Sequence, residues 1–83
     1  MNLEQKIVQD ADRLDAIGSI GIIRCFMFSG YKKYDIKNTI KHFDDKLLKI
    51  KDLMKTKTGK EMAKERHEFM LIFLDQYENE MNL

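Results

Sequence analysis

Three carboxylates stand close together near the start of the chain, where a cation could bind them. The segment VQDADRLDA contains Asp10, Asp12 and Asp15. Because Asp12 and Asp15 are three residues apart, a helix would place them on one face, whereas Asp10 would lie on another. Carboxylate oxygens suit hard divalent cations. From spacing alone, a solvated helix carboxylate is the commoner arrangement.

The neighbours of Asp12 have alternative interpretations. Asp15 could act beside a metal or on the substrate side of a site, or it could cap the helix before Gly18 or pair with an arginine. Asp10 is predicted to be a surface charge. Arg13 could contact a phosphate, but an ion pair with a neighbouring acid is the preferred interpretation.

The two histidines and the single cysteine lack the spacing of a metal or redox site. His42 is predicted to be partly buried and held by a backbone group or a carboxylate. His67 lacks the second histidine of an HExxH motif, so an interior hydrogen bond is predicted for it. Cys25 lies in an apolar run and is predicted to be a buried, unreactive thiol. One cysteine cannot form an internal disulfide, and a reducing cytoplasm is expected.

Helices must position these side chains, because the 83 residues include no proline and only four glycines. Without such breaks, long helices are the expected structure. Apolar residues that recur every three or four positions predict four of them. The predicted helices cover about 3–17, 19–28, 38–54 (with Asn38 as N-cap) and, after a capping box of Thr58 and Glu61, 58–77. Residues 30–37 are predicted to be a loop. The prediction is therefore an all-α chain of three to four helices forming one domain over residues 1–83.

The second predicted helix is apolar on every side, and such a helix is normally buried. A chain of 83 residues has few other elements with which to cover it. An exposed apolar patch is therefore expected, and patches of this kind mark interfaces. A homo-oligomer or a partner polypeptide follows as a prediction.

The net charge is +1, but residues 32–66 carry twelve Lys or Arg against six Asp or Glu. A solvated lysine face is the simplest interpretation, and a phosphate-attracting surface is the alternative. Nucleic acid is not expected as a partner, because aromatic residues do not interleave with the lysines. No membrane span is expected, since Arg24 interrupts the longest apolar stretch. No signal peptide is expected either, because the amino terminus lacks the pattern of one.

The segment VQDADRLDAIGSIGI resembles the late motif of HD-superfamily metal-dependent phosphohydrolases. TIKHFDDKLLKIKDLMKTKTGKEMAKERHEFMLIFLDQY resembles the two closing helices of that family, so that the similarity runs from about Leu3 to Tyr77. The resemblance implies an all-helical fold and a metal-ligand role for Asp12, in the Ala-Asp-Arg element. It also implies a divalent metal (Mn, Mg, Fe, Ni or Zn) and hydrolysis of a phosphate ester or anhydride, such as that of a nucleotide.

This sequence departs from the family pattern, because the family's histidine and histidine-aspartate pair precede this region and no histidine precedes Asp12 here. Catalytic metal sites use about three protein ligands, so one carboxylate is too few. The chain is therefore expected to be a truncated, carboxy-terminal part of an HD domain, inactive and metal-free alone. A separate HD-bearing amino-terminal half would complete the site. The alternative is a non-catalytic helical oligomerisation protein, with a nucleic-acid-binding module as a weaker third.

Overall fold

Helix caps and two glycines set the boundaries of the elements in the computed structural model, which describes residues 1–82. Four α-helices and one 3₁₀ helix follow in order: α1 (Leu3–Leu14), α2 (Gly18–Tyr31), α3 (Ile36–Asp45), the 3₁₀ helix (Leu47–Leu53) and α4 (Lys57–Met81). Residues 1–82 contain no strand, so the all-α prediction is confirmed. In the same range, no helix combines the length and the apolar character needed to cross a membrane.

The first helix ends three residues earlier than the apolar pattern predicts. Asp15 occupies the C-cap position after α1. Gly18 then adopts a φ of +74°, at which a residue with a side chain would be strained. It also faces the aliphatic part of the Arg66 side chain. A Cβ atom on Gly21 would overlap the backbone of Ala16. Gly18 therefore permits the turn that follows α1 and leaves room for Arg66, whereas Gly21 allows α2 to pack closely against that turn.

Helix α2 continues through Tyr31, so the predicted loop over 30–37 shrinks to the four residues 32–35. The N-cap of α3 is Asp35 and not Asn38, because the Asp35 carboxylate accepts a hydrogen bond of 2.8 Å from the Asn38 amide. The cap lies three residues before the predicted one and accounts for the shorter loop.

The predicted third helix over 38–54 is divided at Lys46, whose φ of −129° and ψ of −53° lie outside the helical region. The chain continues from there as a 3₁₀ helix. The predicted apolar stripe is nevertheless at least half-buried throughout, at Ile40, Phe43, Leu47, Ile50 and Met54. The prediction of one continuous helix is wrong, whereas the prediction of which side chains turn inward is confirmed.

Helix α4 begins after Thr56, so the capping box predicted from Thr58 and Glu61 is wrong. The Thr56 hydroxyl accepts a hydrogen bond of 3.0 Å from the Gly59 amide, which the first turn of a helix leaves without an internal partner. The same hydroxyl donates to Asp10 Oδ2 at 2.7 Å. A contact with a distant residue therefore selects which threonine begins the helix.

Asp10 is the distant partner, and the prediction that it is a surface charge is wrong, since only 3% of it is exposed. Its carboxylate accepts from the amides of Lys55 and Thr56, each at 2.8 Å, as well as from the Thr56 hydroxyl. Burial by itself raises the pKa of a carboxyl group. The bonds from Thr56 and Lys55 and the charge of Arg13 outweigh it, and the pKa of Asp10 lies below 3.8. Asp10 thus fixes α1 to the start of α4.

Three phenylalanines from α2, α3 and α4 meet in the core. The ring centroids of Phe26, Phe43 and Phe73 lie 5.8–6.2 Å apart, within the range of favourable aromatic contacts. Ile17 and Met70 are also fully buried. Helix α2 packs on α3 and α4 with this face, whereas Ile20, Ile23 and Met27 of the same helix are exposed.

Candidate functional site

A cavity of about 710 Å³ lies between the end of α1, α2 and α3. Asp12 lines it from α1, and Asp15 does so from the cap that follows. The remaining polar or aromatic lining comes from α2, the 32–35 turn and α3, chiefly Arg24, Phe28, Tyr34, Asn38 and His42. The cavity therefore collects groups of both charges with aromatic rings, as sites for small polar ligands do.

Packing contacts between residues of the cavity wall hold its helices together. The hydroxyl of Thr39 on α3 lies 2.7 Å from the Ser29 hydroxyl on α2, and both side chains are buried. The close approach of Gly21 to the backbone of Ala16 fixes α2 beside the end of α1. These contacts fix α2, which carries Arg24, beside α3 and the end of α1.

Asp12 and Asp15 share this cavity, as their spacing predicts, although Asp15 lies just beyond the end of α1. Both side chains are exposed. No group of three or more His, Cys, Asp or Glu side chains within residues 1–82 is arranged to hold a metal ion. The donors present therefore do not fit a catalytic metal by themselves. The ligand role of Asp12 and the substrate-side role of Asp15 stay predictions.

Within the described range 1–82, Arg13 forms no ion pair with a neighbouring acid, so that prediction is wrong. Its guanidinium donates to the Leu53 carbonyl at 2.7 Å, and this bond attaches α1 to the 3₁₀ helix. Cys25 is half-buried in the cavity wall, and this burial raises the pKa of its thiol. A raised pKa keeps the thiol protonated, which agrees with the prediction that it is unreactive.

The two histidines differ from prediction in opposite ways. His42 is exposed and not partly buried, and it reaches the cavity. His67 is buried as predicted, but its Nδ1 has no hydrogen-bond partner within residues 1–82. Desolvation by burial and the charge of Lys51 lower the pKa of His67 below 6.5, against the smaller opposing effect of Asp52 and Glu68.

Tyr34 and Asn38 belong to the cavity but were not predicted as site residues. Tyr34 lies in the turn before α3, and Asn38 lies in the first turn of α3. Nothing in their spacing relates them to Asp12, more than 20 residues away.

The lysines predicted to form a solvated face are exposed: Lys46, Lys49, Lys51, Lys55, Lys57 and Lys60.

Comparison with known proteins finds relatives among bacterial proteins, although no protein-family profile matches. The uncharacterized protein YpgQ of Bacillus subtilis (strain 168) is 51% identical over 85 residues, which cover 98% of this chain and 42% of that protein. A crystal structure of Bacillus subtilis YpgQ in complex with ADP superposes with a TM-score of 0.90 at 50% identity, covering 96% of this chain and 45% of the other.

A crystal structure of an HD-superfamily hydrolase from Bacillus thuringiensis superposes with a TM-score of 0.89 at 47% identity. This match covers 99% of the present chain and 48% of the hydrolase. The chain thus spans a little less than half the length of each of these relatives.

Proposed function

Because this chain is a relative of HD-superfamily hydrolases, we propose that it is the carboxy-terminal part of a metal-dependent phosphohydrolase of that type. One observation carries the proposal. Asp12, the residue to which the family motif assigns metal binding, lies on the wall of a cavity of about 710 Å³ beside Asp15. Asp10, whose role is structural, differs from Asp12 because its carboxylate is buried and accepts hydrogen bonds from the protein.

Asp12 supplies one carboxylate, and the other ligands come from residues outside this sequence. The family's histidine and histidine-aspartate pair are the groups required. A divalent metal (Mn, Mg, Fe, Ni or Zn), held by Asp12 together with those groups, would supply Lewis-acid activation of water. In this proposal Asp15, which lines the same cavity, orients the substrate or water. The chain alone has no activity in this proposal.

A nucleotide is the proposed substrate. The Bacillus subtilis relative has been crystallised with ADP. Here the cavity offers Phe28 and Tyr34, both more than half exposed, with ring centroids 6.4 Å apart. Aromatic faces of this kind stack on nucleobases. Arg24 adds a cation for phosphate, and Asn38 adds an amide suited to the edge of a base.

The test reconstitutes the site in two pieces. The chain is co-expressed with the portion of the Bacillus subtilis relative that it does not match, and release of phosphate from ADP is measured with Mn²⁺. Asp12→Asn is expected to lower the rate by at least about 100-fold, since even outer partners of metal sites cost 10–100-fold. Asp75→Asn, at an exposed acid on α4, is the matched control. Equal rates for the two variants would remove Asp12 from the site.

A second candidate function is a non-catalytic helical oligomer. The exposed apolar side chains of α2 favour it, because a second copy could cover them. Light scattering of the purified chain decides this point. A monomer at high concentration contradicts self-association, and a stable dimer without hydrolysis in the two-piece assay supports it.

A further inference from the structure

A second pocket lies between the 3₁₀ helix and α4, and it shares no lining residue with the cavity that contains Asp12. Its volume is about 380 Å³. The proposed function uses none of the side chains that line it. Its polar lining consists of Lys51 and Asp52 from the 3₁₀ helix and Lys60, Lys64, His67 and Glu68 from α4.

Helix geometry brings the α4 members of this pocket to one side. Lys60, Lys64 and His67 follow one another at intervals of four and three residues, and side chains at this spacing lie on the same face of a helix. Lys51 comes from the other element. Burial and then the charge of Lys51 lower the pKa of His67, so Lys51 lies close enough to act on the imidazole. The packing of the 3₁₀ helix on α4 therefore brings the three lysines together.

Positive charge exceeds negative charge in the pocket, because three exposed lysines stand against two exposed carboxylates. Lysine ammonium groups bind phosphate as point charges, and a cleft of net positive charge raises the local concentration of anions. For the basic region 32–66, the charge pattern alone allows a solvated lysine face or a phosphate-attracting surface. Lys49, which is exposed and does not line the pocket, fits the first interpretation. Lys51 and Lys60 fit the second.

His67 adds a hydrogen-bonding group that the protein itself does not use. Only 8% of His67 is exposed, and its Nδ1 has no hydrogen-bond partner among residues 1–82. Buried polar groups normally have such a partner. A bond to one ring nitrogen decides which nitrogen carries the proton. Because Nδ1 makes none with the described protein, the neutral imidazole can present an N–H to an acceptor in the pocket.

The lining also indicates the class of ligand. Of the residues that the structure describes, no phenylalanine or tyrosine lines the pocket, and its one large apolar side chain is Leu71. Single-stranded nucleic acids are bound by stacking of bases on aromatic rings, so this pocket has no surface to hold a base. Ammonium groups and an imidazole N–H suit the oxygens of a compact anion instead.

We infer that the pocket between the 3₁₀ helix and α4 binds a small multivalent oxyanion of the phosphate or diphosphate class. Lys51, Lys60 and Lys64 balance its charge, and His67 donates a hydrogen bond to one of its oxygens. The bound anion links the 3₁₀ helix to α4. The inference is independent of the proposed function, because none of these four residues lines the cavity of Asp12.

Titration calorimetry of the full 83-residue chain with inorganic diphosphate tests the inference. At about 0.1 M salt, attraction between exposed charges more than about 10 Å apart is largely screened. Lys64→Gln is expected to weaken binding by at least about 10-fold, as for loss of one hydrogen bond to a charged group. Asp52→Asn removes an opposing carboxylate and is expected to tighten binding. Lys49→Gln makes the same change of charge outside the pocket, and this matched control is expected to bind as the unmodified chain does.

The protonation of His67, followed by nuclear magnetic resonance, supplies a second readout. Sulfate is the probe, because it stays fully ionised over the pH range in which histidine titrates, and chloride at equal ionic strength is the control. A bound anion favours the protonated imidazole, so sulfate is expected to raise the pKa of His67, and less so in Lys64→Gln. The charged groups that line the pocket with His67 are Lys51, Asp52, Lys60, Lys64 and Glu68.

Four results would overturn the inference. The first is that the unmodified chain binds neither diphosphate nor phosphate, and the second is that Lys49→Gln weakens binding as much as Lys64→Gln does. The third is loss of binding in Arg24→Gln but not in Lys64→Gln, which would place the anion in the cavity of Asp12. The fourth is preferential binding of a single-stranded oligonucleotide that Lys64→Gln weakens, which would identify a nucleic-acid surface. Far-ultraviolet circular dichroism confirms that each variant is folded.

Discussion

Thr56 is the side chain whose removal tests the architecture most directly, since it serves two elements at once. Its hydroxyl caps α4 by accepting from the Gly59 amide, and it donates to the buried Asp10 carboxylate. Thr56→Ala removes both bonds. Loss of an N-cap threonine costs about 1 kcal/mol of folding free energy. In a domain of this size, that loss lowers the unfolding midpoint by about 4–8 °C. Because the lost bond to Asp10 acts in the same direction, a decrease of at least about 4 °C is expected.

Thermal unfolding followed by circular dichroism at 222 nm measures this effect, with Thr58→Ala as the matched control. Thr58 is the N-cap that the sequence pattern predicts, but it is exposed, and its substitution is expected to change stability by less than about 0.5 kcal/mol. Thr56→Ser keeps the hydroxyl and should retain most of the stability. If Thr58→Ala were the more damaging of the two alanine variants, the helix would begin where the capping box predicts and the Asp10 contact would be wrong.

Three further predictions concern pH and metal. Because the pKa of Asp10 is lowered in the folded state, its ionised carboxylate stabilises the protein above pH 3.8, and this contribution is lost as the pH falls from 3.8 through the folded-state pKa. In urea unfolding, the free energy of unfolding of Asp10→Asn should decrease less over the same pH range. Because the pKa of His67 is lower in the folded than in the unfolded chain, the unfolded chain binds a proton at a higher pH than the folded chain does. The free energy of unfolding should therefore decrease as the pH falls below 6.5, and His67→Leu should make it depend less on pH. A stability that rises on acidification through this range would contradict the burial of His67. The chain alone should take up no Mn²⁺ or Ni²⁺ in stoichiometric amount by elemental analysis; uptake that disappears in Asp12→Ala would show a complete site.

The apolar pattern predicts which side chains turn inward better than it predicts where helices begin and end. Phe43, Leu47 and Met54 are buried as their spacing requires, although the helix breaks at Lys46. The spacing of apolar residues indicates which side chains are buried, whether or not the helix that carries them is continuous. The cap of α4 depends on Thr56 meeting a residue 46 positions away, and no local pattern contains that information.

The residues of the candidate site, too, could be predicted only in part from the sequence. The pairing of Asp12 with Asp15 could be predicted, since three-residue spacing brings them to one side and the family motif points to Asp12. Asn38 and Tyr34 could not, because they join the cavity only through the packing of α3 on α2. The prediction for Asp10 is wrong for a related reason, because its partners lie 45 and 46 residues further along the chain.

Asp10 and Asp12 have different environments because helix geometry places them on different sides of α1. Two positions advance a helix by about 200°, so one carboxylate can enter the α4 cap while the other lines the cavity. Arg66 adds a second fixed point by donating to the Leu14 carbonyl at 2.7 Å. The orientation of Asp12 is therefore set by contacts on the side of α1 away from the cavity. Thr56 does not line the cavity. We nevertheless expect Thr56→Ala to weaken metal retention in the reconstituted complex more than Thr58→Ala does. This difference should persist at temperatures where both variants are fully folded.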